Sequence, residues 1–303
     1  MVLLVGRQVL IMVLIIAVGV ITSKTKLIST QGARDLSGLL LYIVNPFLVF
    51  ISFQQDYTSD LLNNFLLAFA CSILVIGMST AAAVILTRKK GKDWEVERFA
   101  YIFRNVGFFG IPVVSSIYGA EGVFYLSAFI AVFNIWCWSY GVTFMKGGQK
   151  RIQLKEMLSN MVNPTIIATG IGFVMFIFRL HLPSILTDSF TYIADMNTPL
   201  AMLITGVVLC ESSLKEIIFD KRCYRMLIWT QIVFPFFEIL VIRALPVNIM
   251  VRVVVSICAA CPVAAAINMF ALRFDKDEAY AAKINSVTTI MAAVTIPLMM
   301  LLY

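Results

Sequence analysis

Apolar runs of about twenty residues alternate with short polar connectors along the whole chain. A helix rises 1.5 Å per residue, so about twenty apolar residues cross the ~30 Å hydrocarbon core of a bilayer. Such runs fall at about 3–22, 36–53, 61–87, 99–118, 122–145, 162–180, 190–210, 224–245, 250–272 and 281–302. The pattern predicts an all-α integral membrane protein with about ten transmembrane helices. The first run, with Arg7 before it, has the look of a signal peptide, but no good small-residue cleavage site follows, and it is read as a helix.

Two runs break the rules of an undisturbed span. Phe99–Tyr118 carries Gly107, Gly110 and Pro112 at its middle, with Arg104 and Asn105 beside them. Met250–Leu272 carries Pro262 at its centre, with Asn268 further along. Proline lacks a donor and clashes with the carbonyl one turn back, and glycine frees the backbone around it. In hydrocarbon the freed groups are tolerated only where protein or a water-filled cavity covers them. Interrupted segments at matching positions of two halves point to a transporter's binding site. Here the two prolines stand 150 residues apart in a chain of 303.

Charge sets the orientation. Connectors 24–35, 88–98, 146–157, 212–225 and 273–283 hold 19 of the 24 Lys and Arg residues. The positive-inside bias places these five in the cytoplasm and both termini outside. The polar stretch 146–157 lies at the midpoint, giving a first five-helix repeat over 1–145, a cytoplasmic linker over 146–157 and a second repeat over 158–303. Five spans per half make the repeat inverted.

Composition agrees: 60% of residues are hydrophobic, 14% are charged, and the mean hydropathy is +0.92. A soluble domain carries about 25% charge. The net charge of +7 sits in short connectors, so no nucleic-acid partner is expected. Six cysteines fall in or beside apolar runs. Cys258 and Cys261 form a CxxC, yet a zinc site needs further ligands and His181 is the one histidine, so neither metal nor other cofactor is expected.

Each candidate site residue has two readings. Asn105 either donates to a substrate carboxylate or bonds to a carbonyl freed by the break. Arg104 either serves the site or snorkels to the interface, being five residues into its span. Gly107, Gly110, Pro112 and Pro262 are read as the residues of the crossing and, through the groups their breaks free, as part of the substrate-binding site. Asn268 either binds substrate or links helices. Glu238, fifteen residues into the eighth span, is a candidate for the coupling proton, with Arg243 as its alternative neutralising partner. Trp136 and Trp138 are read as packing residues and His181 as a loop residue.

Four motifs resemble the auxin efflux carrier superfamily, which includes plant PIN carriers and bacterial malonate- and malate-type permeases. They are RNVGFFGIPV (104–113), TPLAMLITGVVL (198–209), CPVAAAINMFALRFDKDEAYAA (261–282) and the Ile296–Leu298 close. The resemblance implies ten helices in an inverted repeat, with helices 4 and 9 crossing at their prolines. It further implies a body of helices 3–5 and 8–10 sliding against a scaffold of helices 1, 2, 6 and 7, where Asn45-Pro46 bends a helix. It implies small organic anions as substrates. The expected partners are that anion, H+ or Na+, the lipid of a plasma membrane, and a second copy in a homodimer. A channel or a small-ligand membrane receptor is the alternative. No HExxH, GxSxG or P-loop is present, so neither an intramembrane enzyme nor an ATP-driven pump is expected.

Overall fold

The computed structural model describes residues 2–88, 91–147, 164–211 and 220–303. Most of the expected linker 146–157, and the connector residues 212–219, lie outside the described residues. Among those described the chain is helical throughout, with one isolated β-bridge.

The elements are α1 (Val2–Lys24), α2 (Thr30–Leu39), α3 (Asn45–Ser52), α4 (Ser59–Leu86), α5 (Trp94–Ile102), α6 (Ile111–Trp136), α7 (Val142–Met145) and α8 (Pro164–Ile177). They continue with α9 (Ser184–Asp195), α10 (Asn197–Glu211), α11 (Lys221–Ile228), α12 (Phe234–Ala244), α13 (Ile249–Ala260), α14 (Ala266–Arg273) and α15 (Glu278–Met299). Seven continuous segments are long and apolar enough to cross a membrane: Leu3–Lys24, Thr30–Ser52, Ser59–Leu86, Val106–Met145, Ser184–Cys210, Lys221–Ala244 and Glu278–Leu302. Pro164–Ile177 and Ile249–Ala260 are shorter apolar helices. The segment Val106–Met145 is 40 residues long, and two helices meet inside it at Gly119 (φ 58°, ψ −145°), a conformation open to glycine.

Two spans start earlier than hydropathy predicts. The second begins at Thr30 rather than 36, because the Ser29 hydroxyl accepts from the Gly32 N–H at 3.0 Å and caps a polar first turn. The seventh begins at Ser184 rather than 190, directly after Pro183. In both, the opening turn is amphipathic and falls outside an apolar count.

Prolines inside spans are absorbed in a repeated way. Five-residue π-helical turns occupy Leu40–Val44, Val106–Gly110 and Trp229–Val233, and each precedes a residue followed by proline: Pro46, Pro112 and Pro235. The residue before each proline donates five back, Asn45 to Leu40, Ile111 to Val106 and Phe234 to Trp229. The wider turn lets the helix continue where a proline ring would clash with an α-helical carbonyl. It leaves one carbonyl per turn with no backbone donor, at Leu41, Gly107 and Thr230, since proline has no N–H.

Helix α1 packs on α10 through Gly19 and Gly206, where a Cβ on either would strike the other helix's backbone. Small residues permit such close approach in membranes. At one end, Phe53, Phe65, Phe124, Phe173 and Phe176 interlock, with Phe53–Phe124 ring centroids 4.9 Å apart. Nearer the middle, Phe99 stacks on Phe103 at 4.6 Å and on Phe270 at 4.8 Å. Trp138 packs on Phe270, and Trp136 donates to Thr80 at 3.0 Å. Many large apolar side chains face outward, among them Leu3, Ile85, Phe178 and Phe237.

Charged residues gather at the helix ends. Lys276 pairs with Glu95 at 2.8 Å, Arg222 with Asp93 at 2.7 Å, and Arg225 with Glu97, which also accepts from the Tyr280 hydroxyl. Three connectors rich in basic residues therefore meet on one face. At the other end of α4, the Gln54 side chain accepts from the Leu182 N–H at 2.8 Å, and His181 lies 3.6 Å from Asp56.

Candidate functional site

The two interrupted spans meet. The non-helical residues of the first are Phe103–Asn105, and those of the second run from Cys261 to Ala265. They lie antiparallel as a single bridge between Arg104 and Val263. The Asn105 N–H donates to the Pro262 carbonyl at 2.7 Å, and the Ala264 N–H donates to the Phe103 carbonyl at 2.9 Å. Each break thus satisfies backbone groups of the other, which the lipid interior requires.

The first break was expected at Gly107–Pro112. It lies instead just before those residues, because the π turn over Val106–Gly110 absorbs Pro112 at the start of α6. The matching of two prolines at the crossing holds for Pro262 alone. Asn105 makes the break by capping: its Oδ1 accepts from the Phe108 N–H at 3.2 Å. Its backbone (φ −80°, ψ 65°) is that of an inverse γ-turn, closed by the Val106 N–H to the Arg104 carbonyl at 2.9 Å. Gly107 passes over Asn45, and Gly110 leaves room for Cys261, whose Sγ would lie 3.3 Å from a Cβ there.

At the crossing is a cavity of about 80 Å³ lined by Ser37, Asn105, Phe108, Thr205, Ala265 and Asn285, with Ser286 and Thr289 and the apolar Ile204, Val208 and Leu209 completing its wall. The cavity takes residues from α2 and α10 as well as from the interrupted spans and α15. Among the described residues, the Asn105 Nδ2 donates to no protein group. A larger cavity, about 330 Å³, is lined by Ser52, Ser115, Ser116, Thr191, Asp195 and Asn197 among others. Between the two, Asn197 Nδ2 donates to Asn45 Oδ1 at 2.6 Å, both side chains being buried.

Arg104 is the bridge residue itself and, unlike Asn105, lines neither cavity. Arg104 is 2% exposed, so it does not snorkel. Its Nη1 donates to the Thr230 carbonyl at 2.6 Å, the group that Pro235 leaves without a donor. Its Nε and Nη2 are buried and unpartnered. Glu238, also 2% exposed, accepts from the Ser79 hydroxyl at 2.5 Å, and its Oε2 is unpartnered. Arg243, the expected neutralising partner, is exposed on the same helix, whereas Glu238 is buried.

Asn268 lies on α14 outside the cavity lining, with its Oδ1 buried and unpartnered. Sequence reasoning missed Gln231, which is fully buried: its Nε2 donates to the Cys261 carbonyl at 3.2 Å and its Oε1 accepts from Thr295 at 3.0 Å. Thr288 accepts from the Val263 N–H at 3.3 Å. It also missed Asn197, whose signal was Asn197-x-Pro199, a near echo of Asn45-Pro46.

An uncharacterized transporter of Methanocaldococcus jannaschii is 24% identical over 257 residues, covering 80% of this chain and 82% of the relative. The family described as membrane transport protein matches residues 4–300. The chain therefore belongs to that family, the one that includes the auxin efflux carriers, whose members are transporters and not enzymes.

Proposed function

We propose that the protein is a secondary, elevator-type transporter of small organic anions, carboxylates such as malate and malonate or auxin-like acids, in a plasma membrane. One observation carries the anion reading. The residues that the interrupted spans give to the smaller cavity, Asn105, Phe108 and Ala265, all lie at the starts of their second halves. Helix N-termini present free N–H groups and a partial positive charge. Two such ends at one cavity, with the free Asn105 Nδ2, favour an anion.

The elevator reading is supported by how the site divides. Ser37 comes from α2, and Ile204, Thr205, Val208 and Leu209 from α10, two helices that pack on each other. The other lining residues belong to spans tied together by the Glu95, Asp93 and Glu97 ion pairs. A substrate held between two bodies moves when one slides. Read as two crossings, Val106–Met145 raises the count, and α5 and α14 complete the interrupted spans, giving ten helices in two inverted halves over 1–145 and 158–303. Both termini then lie outside. The antiparallel pairing of the two breaks is the arrangement that inverted halves produce.

The test is uptake of labelled malonate and malate into proteoliposomes. Saturable uptake that accelerates when unlabelled substrate is inside supports a carrier. Flux that rises linearly with concentration and ignores the inner substrate would make it a channel.

A further inference from the structure

The larger cavity has no part in holding the anion, and its wall has one chemical character. It lies at the end of the molecule away from the basic connectors: Ser52 closes α3 and Gly119 joins the two halves of α6, each one span from such a connector. Four hydroxyls in the wall already give their hydrogens to carbonyls of their own helices. Ser52 donates to Val49 at 2.6 Å, Ser115 and Ser116 to Pro112 at 3.3 and 2.8 Å, and Thr191 to Thr187 at 2.8 Å. A hydroxyl has one hydrogen, so these oxygens can only accept from a ligand. Asn197 adds a further acceptor: its Nδ2 donates to Asn45, while its Oδ1 is buried and unpartnered.

The charge in the wall is of one sign. Asp195 is exposed, with no ion-pair partner among the described residues, and no lysine, arginine or histidine among them lines the cavity. Glu121, next to the lining residue Ala120, is a second carboxylate nearby and accepts from the Tyr125 hydroxyl at 3.0 Å. Helix starts favour anions, and two are present, at Ala120 and Asn197. Each directly follows the end of another helical segment, whose opposite partial charge of about one half offsets it. The whole charge of Asp195 therefore sets the sign. The volume of about 330 Å³ is far more than a single ion needs, and it falls in the range of roughly 300–1,000 Å³ in which pockets hold small organic molecules. Leu48, Ile51 and Val123 give the wall an apolar part.

We propose that this cavity is a second binding site, separate from the anion site, for a small organic ammonium ion. Its N–H groups donate to Asp195 and the hydroxyl oxygens, and its hydrocarbon part lies on Leu48, Ile51 and Val123. The site stands on the cavity alone; its effect rests on the elevator reading above. Ser52, Asp195 and Asn197 belong to the second and seventh spans, the scaffold of that reading, and Ser115 and Ser116 to the moving fourth span. A cation bound to both resists sliding and slows transport without competing for the smaller cavity.

The experiment has two arms on the full-length protein. The first is calorimetric titration with n-butylammonium chloride, with sodium butyrate as the anion of matched size and sodium chloride as the control. Wild type is expected to bind butylammonium alone. Asp195→Asn keeps the shape and removes the charge, and it is expected to bind about tenfold or more weakly, as loss of a charge-assisted hydrogen bond implies. No binding of butylammonium, binding of butyrate in its place, a response to sodium chloride alone, or equal affinity in a folded Asp195→Asn overturns the proposal. If Asp195→Asn does not fold, Ala120→Lys, at an exposed position in the wall, brings an ammonium of the chain itself to the cavity. It is expected to abolish binding, and unchanged affinity overturns the proposal.

The second arm is labelled-malonate uptake into proteoliposomes with and without butylammonium. The maximal rate is expected to fall with KM unchanged, and the fall to be absent in Asp195→Asn. Butylammonium that binds but leaves uptake unaltered overturns the locking effect and keeps the site. A rise in KM alone would place the amine in the anion's own cavity and overturn the second site. Absence of malonate and malate uptake in wild type overturns the anion reading, while the first arm still decides the ammonium site.

Discussion

The two breaks solve one problem by opposite means. The first, Phe103–Asn105, contains no proline and, beyond the two bonds it shares with the second, is completed by its own residues. Asn105 caps the helix that follows, its γ-turn uses the Arg104 carbonyl, and its own carbonyl accepts from Phe109 and Gly110. The second, Cys261–Ala265, contains Pro262 and depends on distant side chains. Gln231 covers the Cys261 carbonyl and Thr288 covers the Val263 N–H. The first break also carries a buried charge, Arg104, and its bridge partner in the second is Val263.

That asymmetry orders the expected effects of substitution. The largest belongs to the charge. Arg104→Met removes the charged donor to the buried Thr230 carbonyl, and a hydrogen bond to a charged group is worth about 1.5–3 kcal/mol. Thermal unfolding in detergent should show that drop, and wild-type stability in Arg104→Met would mean that this bond does not hold the two elements together.

Next comes the support of the second break. Gln231→Leu leaves the Cys261 carbonyl buried without its side-chain donor, at about 1–3 kcal/mol, while the Thr295 hydroxyl keeps the Met291 carbonyl at 3.1 Å. Asn105→Ala removes a helix cap, worth about 0.5–2 kcal/mol, so the first break should lose less than the second. A melting-temperature comparison of these two variants checks the order, and a reversal would remove the contrast between self-held and neighbour-held breaks. The smallest effect is at Pro112, because the π turn has already accommodated it. Pro112→Ala offers an N–H to the Gly107 carbonyl and should shift stability by about 1 kcal/mol or less. A collapse of folding there would show that Pro112 itself maintains the break.

The same contrast explains what could be read from the sequence. Pro262 marked its own break because it sits in it. Pro112 mislocated the other, because a proline signals strain without saying whether a wider helical turn will absorb it. The apolar runs were legible, though the polar opening turns at Thr30 and Ser184 were not, since a hydropathy count cannot weigh a cap. Arg243 looked a fit partner for Glu238 by proximity along the chain. Residues five apart on a helix lie on different faces, however, and the observed partner, Ser79, is 159 positions away. Thr230 and Gln231 carried a signal that spacing alone does not decode: polar residues four and five before Pro235, where a carbonyl loses its donor. The pairing of the cavity with the helix starts at Asn105 and Ala265 needed the tertiary fold.

The account's central claim is that the anion is held where the second halves of the two interrupted helices begin, with the amide of Asn105 as a donor. Calorimetric titration of purified wild type, Asn105→Ala and Asn268→Ala with malonate tests it most directly. Loss of one neutral hydrogen bond, about 0.5–1.5 kcal/mol, predicts that Asn105→Ala binds roughly threefold to tenfold more weakly, while Asn268→Ala, outside the cavity, binds as wild type does. Wild-type affinity in a folded Asn105→Ala, or a loss confined to Asn268→Ala, would contradict it.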